Sequence, residues 1–157
     1  MASLPSEGSL HAYLAGRGRD DRGRTLDEVL AQTDPDLERV HDYVQWLFPL
    51  PTRSMAQPGA PVLVPAEIEA IRADPQAVAN LRRAAERMLR FYEGTSWWLA
   101  ASDHNHLRIT RILRSLRLLA GEEAARRFYE RMMARHRAAG APISRNNLAY
   151  WAEALAD

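Results

Sequence analysis

Asp103-His104-Asn105-His106-Leu107-Arg108-Ile109-Thr110-Arg111-Ile112-Leu113-Arg114-Ser115-Leu116-Arg117-Leu118-Leu119 sets an apolar stripe at helical spacing behind a polar entry. Ile109, Ile112, Leu113, Leu116 and Leu119 share one face. Leu107 and Leu118 point the other way, which predicts a helix that is apolar on two sides and therefore central. The stretch carries four arginines and no acid after Asp103. A helix N-terminus offers free N–H groups and partial positive charge, so an anion has donors there, with Arg108 and Arg111 one turn in. The competing reading is a plain cap by Asp103 or Asn105 with solvated arginines.

Outward from this helix the pattern stays helical. Upstream, Asp74-Pro75 pairs a cap residue with a first-turn proline and opens a long helix to Glu93. Its stripe is Val78, Leu81, Ala85, Met88, Leu89 and Tyr92, with Arg82, Arg83, Glu86, Arg87 and Arg90 outward. Pro65 opens a shorter helix to Ala73. Asp34-Pro35 starts another, in which Leu37, Val40, Val44 and Leu47 form a stripe flanked by His41, Gln45 and Phe48 at i, i+4 and i+7. Pro49 and Pro51 end it. Thr25-Leu26-Asp27-Glu28 is a capping box. Downstream, Glu122 to Ala139 buries Ala125, Phe128, Tyr129, Met132 and His136, and a last helix capped by Ser144 turns Leu148, Trp151, Ala152 and Leu155 inward. No stretch alternates with strand period. The expectation is an all-α single domain of about seven helices over residues 25–157, preceded by an irregular arm over 1–24. In that arm Leu10, Tyr13 and Leu14 have the character to pack.

The 157 residues include no Cys, so disulfides and thiolate metal sites are excluded. Charge is balanced at +1, with 21 basic and 20 acidic residues. Every basic residue is Arg, which together with abundant Ala reads as coding bias rather than a nucleic-acid footprint. Met1 to Glu7 lacks the basic-then-apolar order of a secretory signal. No window nears the roughly 18 apolar residues of a membrane span. These features lead to an expectation of a cytoplasmic protein with no transmembrane segment.

No catalytic motif is recognisable. Serines 96, 102 and 115 lack a glycine elbow, no glycine-rich phosphate loop occurs, and no metal-ligand spacing is present. His41, His104 and His106 are the histidines a loop would have to gather for a three-nitrogen metal site, and nothing in their spacing demands it. No metal and no cofactor are expected. Trp97-Trp98 reads either as pocket wall or as core.

His41-Asp42-Tyr43-Val44-Gln45-Trp46-Leu47-Phe48-Pro49-Leu50 and Asn105-His106-Leu107-Arg108-Ile109-Thr110-Arg111-Ile112-Leu113-Arg114-Ser115-Leu116 resemble the two hallmark motifs of the opioid growth factor receptor conserved region. Asn80-Leu81 through Phe91-Tyr92 is similar to its middle segment, and Arg24 to Leu30 to its opening one. The resemblance covers residues 10 to 155, and the Lys-free, Ala-rich composition is that of a short bacterial member. The animal receptor is associated with an opioid pentapeptide and with the nuclear envelope. The resemblance, joined to the helix N-terminus and its arginines, leads to the expectation of a ligand-binding, receptor-like helical module for a small or peptide ligand with an anionic group. The candidate contacts are His41, Gln45, Trp46, His104, Asn105, His106, Arg108, Arg111, Trp97 and Trp98. The pocket is expected between the His41–Phe48 segment and the start of the Asp103–Leu119 helix. A small-molecule enzyme using a histidine base and a pocketless interaction scaffold are the alternatives.

Overall fold

The computed structural model describes residues 8–156, so the reading of Met1 to Glu7 lies outside the described residues. Among them the chain forms nine α-helices and no strand: α1 (Ser9–Leu14), α2 (Leu26–Leu30), α3 (Asp34–Arg39), α4 (Val44–Leu47), α5 (Pro65–Arg72), α6 (Pro75–Glu93), α7 (His104–Leu119), α8 (Glu122–Ala138) and α9 (Arg145–Ala156). None is long and apolar enough to cross a membrane.

The longest helix, α6, begins and ends where its sequence signals stand. The Asp74 carboxylate accepts the free N–H groups of Gln76 (3.0 Å) and Ala77 (3.4 Å), and Pro75 needs no partner for a nitrogen that carries no hydrogen. Its apolar face meets α1, α5, α7 and α8, and α7 in turn packs on α5, α8 and α9. α6 and α7 are therefore the central pair. Trp98, Trp151, Tyr92, Phe91 and Phe128 are fully enclosed around them and supply much of the buried apolar area.

The arm expected to be irregular contains α1. Leu10, Tyr13 and Leu14 are completely buried, and Asn80 Nδ2 donates to the Leu14 carbonyl at 2.7 Å, which satisfies an end that would otherwise face the core. The glycine-broken segment after it is ordered by Asp20. That carboxylate accepts from Arg22 N, Arg24 N and Arg24 Nε at 2.7–2.9 Å.

The single helix expected from Asp34 to Leu47 is two. Val40 turns extended (φ −88°, ψ 132°), and α4 starts only at Val44. The break has a partner on another element: Arg108 of α7 takes the Leu37 and Val40 carbonyls, both at 2.8 Å. His41, Gln45 and Phe48 consequently do not stack along one helix. Three further expectations are corrected. Arg87 is buried, because its guanidinium ties together Leu30 O, Gln32 O and Asp34. Leu107 is 70% exposed, so α7 is not apolar-packed on that side at its start. Ala154 rather than Ala152 faces the core from α9.

Candidate functional site

α4, the Leu50–Ala56 segment and the first three turns of α7 enclose an open groove of about 360 Å³. Its shape follows from the way Phe48 to Leu50 is strapped onto α7. Arg111 Nε donates to Phe48 O at 2.8 Å, Ser115 Oγ to Pro49 O at 2.9 Å, and Leu63 N to Leu50 O at 3.0 Å. Pro49 ends the helical hydrogen bonding here, and side chains of α7 take the Phe48 and Pro49 carbonyls instead. Val44, Leu50, Met55 and Leu107 form the apolar lining. His41, Gln45, His104, Arg53, Arg108, Arg111 and Arg114 form the polar one.

The electrostatics of that lining are one-sided. It holds four guanidinium groups and no carboxylate. Burial draws the Arg111 guanidinium down to about 10, with no acid to offset the cost. It remains charged at any physiological pH. Among the described residues Arg53, Arg111 and Arg114 make no ion pair, and the buried Arg114 Nε has no hydrogen-bond acceptor. Gln45 is 94% buried, the remainder of a 6% exposure, and its Oε1 has no donor. At the mouth the His41 and His104 rings lie 5.1 Å apart. Burial, then the Arg108 and His104 charges, push His41 below its usual value.

Beside the groove runs a buried polar spine that holds the fold. Arg108 Nη1 meets Leu37 O and Tyr43 Oη, and Nη2 meets Val40 O and His41 Nδ1. The Tyr43 hydroxyl donates to Leu37 O at 2.7 Å and is pushed up to about 12 by burial. Asn105 Nδ2 donates to Glu38 Oε2 and Asp103 Oδ1, both at 2.9 Å, while its Oδ1 accepts from Tyr92 Oη. His106 bonds Trp98 O (2.7 Å) and the Asn147 amide (2.8 Å) through its two ring nitrogens. Trp151 Nε1 reaches the His106 carbonyl at 3.0 Å.

Of the residues singled out in the sequence, the groove brings together His41, Gln45, His104, Arg108 and Arg111. Asn105 and His106 lie behind it in the spine. Trp46 packs edge-on against Tyr13, Trp98 is enclosed with its Nε1 on Tyr92 O, and Trp97 is half-exposed against Phe91, so none of the three indoles walls the groove. Arg53 and Arg114 were not anticipated. Arg114 sits one turn beyond Arg111 and was legible as the next residue on the same face. Arg53 lies in a proline-bounded segment with no periodicity to place it.

The three-nitrogen set of His41, His104 and His106 is not assembled, because the His106 ring is turned into the core. Glu38, Asp103 and His104 do bring ligand-type atoms within 4.8 Å of one another. The three groups are bonded to the protein: His104 Nε2 lies 2.8 Å from Glu38, and Asn105 Nδ2 bridges both carboxylates. The cluster ties α3 to the N-terminus of α7.

The molecule is thus an all-α domain in which a polar spine braces a basic groove. The Opioid growth factor receptor (OGFr) conserved region model matches residues 19–97, and the chain belongs to that family. The match spans α2 to α6 and stops before α7. The chain is 34% identical to the opioid growth factor receptor of Rattus norvegicus over 73% of its own length and 24% of that protein's. It is 33% identical to the rat opioid growth factor receptor-like protein 1 over 60% of this chain and 24% of that protein. It is 36% identical to the Homo sapiens opioid growth factor receptor over 51% of this chain and 14% of that protein. The chain therefore spans about a quarter or less of the length of these relatives. No solved structure matches it.

Proposed function

We propose that the domain is a ligand-binding module whose groove between α4 and α7 takes a small molecule or peptide through an anionic group. The carrying observation is Arg111: a desolvated guanidinium, drawn down to about 10, with no carboxylate near it. A partly buried cation without a counter-charge carries a desolvation cost, and an arriving anion recovers part of it. Arg53 and Arg114 add donors on the same lining, and Met55 and Leu107 offer apolar cover at the rim. The receptor names of the relatives support a binding role over a catalytic one.

The test is a thermal-unfolding series with inorganic phosphate, sulfate and acetate on the wild-type protein and on Arg111→Ala. Binding to the folded state alone raises the midpoint with ligand concentration. The proposal expects a saturable rise that Arg111→Ala removes. Identical behaviour of the two proteins in every anion would refute it.

A further inference from the structure

One stripe of α7 is left open by the packing of the other helices. Leu107, Arg111, Arg114 and Leu118 stand at i, i+4, i+7 and i+11, which places them on one face of the helix. The first three line the groove described above, and Arg114 and Leu118 line a second groove of about 440 Å³. Leu50 and Arg114 belong to both walls, so the two grooves meet there. Together they follow α7 from His104 to Leu118, about 21 Å at 1.5 Å per residue.

The guanidinium groups at the centre of this surface are available. Among the described residues Arg53 and Arg114 have no hydrogen-bond or ion-pair partner, and Arg111 engages only its Nε, on Phe48 O. Of the atoms in the Arg111 and Arg114 groups only Arg114 Nε is both unpaired and enclosed, so the terminal nitrogens reach solvent. The second groove holds one acid, Glu122, already paired with Arg126 at 3.0 Å. Apolar surface bounds the cationic centre at both ends. Leu107 is 70% and Met55 92% exposed at one, and Leu118 is half-buried at the other.

A single small anion matches the middle of this surface and leaves the rest uncovered. An extended chain rises about 3.3 Å per residue, so roughly six residues reach from Leu107 to Leu118. Carboxylates in the middle of such a segment meet Arg111 and Arg114, and an apolar residue at each end covers a leucine. No Phe, Tyr or Trp lines either groove, so nucleic-acid bases would find no aromatic face to stack on.

We infer that the two grooves dock one extended acidic segment of a partner protein, with acidic side chains on Arg111 and Arg114 and apolar residues over Leu107 and Leu118. The inference rests on the anion-binding reading above and deepens it.

The experiment is fluorescence anisotropy at pH 7.5 with a labelled hexapeptide, blocked at both termini, that carries leucine at each end and glutamate between. It is run beside the same peptide with glutamine for glutamate, the same with serine for leucine, and hexauridylate. The acidic leucine peptide should bind at least about tenfold more tightly than any of the three. Arg114→Ala should weaken it about tenfold, and the fold does not depend on a side chain that holds no other group. Thr52→Glu, which sets an acid at an exposed position of the second groove, should weaken it several-fold. Equal binding of either altered peptide or of hexauridylate, or unchanged affinity in either variant, would overturn the inference. Absence of peptide binding in a protein whose unfolding midpoint still rises with phosphate through Arg111 would overturn the docked segment and leave the anion reading. Absence of both responses would remove both.

Discussion

Arg108 Nη1 donates to the Leu37 carbonyl at 2.8 Å across 71 positions of sequence, and this bond decides where α3 stops. Its second terminal nitrogen holds Val40 O at the same distance. The helix would otherwise run on along a continuous apolar stripe. Instead its last carbonyls turn toward a cation on α7, and the chain swings out to put His41 at the groove mouth.

Arg108 and Arg111 stand one turn apart and have opposite tasks. Arg108→Ala leaves Val40 O with no donor in a part-buried setting and should cost roughly 2–3 kcal/mol. Arg111→Ala loses one bond to Phe48 O but also removes an uncompensated charge, so its stability should stay within about 1 kcal/mol of wild type. Urea unfolding of the two variants checks this. Equal losses would mean that Arg111 is as structural as Arg108.

Asp74 caps α6 and also receives His11 Nε2 at 2.8 Å, so one carboxylate fixes both the longest helix and α1. The His11 bond is the first cause holding its carboxyl below the usual range. A depressed carboxylate contributes stability that is present above the unfolded value of about 3.9 and is lost as pH falls through the folded one. Asp74→Asn should lower stability by about 1 kcal/mol at pH 7 and by less than that below pH 4. Chemical denaturation at the two pH values measures both. A loss that does not shrink in acid would contradict the ionic role.

His41 and His136 are both pushed below the ordinary histidine value, in each case chiefly by burial. His41 also faces the charges of Arg108 and His104, against Glu38 and Asp42. His136 faces Arg137 and His106, and its Nδ1 accepts from Ile143 N. For a base depressed on folding, the unfolded chain binds the extra proton. Stability is therefore complete above about 6.5 and declines as pH falls below it. The unfolding free energy should fall between pH 7 and 5, with a shallower slope in His136→Gln, since its Nδ1 accepts the Ile143 N–H hydrogen bond only when unprotonated. A slope of the opposite sign would show that the carboxylates near His41 dominate.

Much of the frame was legible because its signals are local. Asp74-Pro75 fixed the start of α6, Asp103 that of α7, and the Thr25–Glu28 box that of α2, where the Thr25 hydroxyl accepts Glu28 N at 3.1 Å. The break at Val40 was not legible, since its cause is a guanidinium 68 positions away. Arg87 looked solvent-facing by period, yet three acceptors from the α2–α3 connection bury it. Trp97 and Trp98 are neighbours in sequence with opposite fates, because only Trp98 finds carbonyls for its Nε1 inside the core. The groove was half legible. α7 announces its arginines by spacing, whereas the Leu50–Ala56 wall has no period, and the hallmark residues Asn105 and His106 turn out to bond protein groups behind the site.

The most direct test follows the arginine Nε–Hε signals in an NMR titration with inorganic phosphate. Arg111 and Arg114 should shift together and saturate, because their charge has no acidic partner. Arg127 and Arg131, held by Glu86 at 2.9 Å and Glu93 at 2.7 Å, should stay in place. Shifts that never saturate, or that are equal across all four, would contradict a built anion site in the groove.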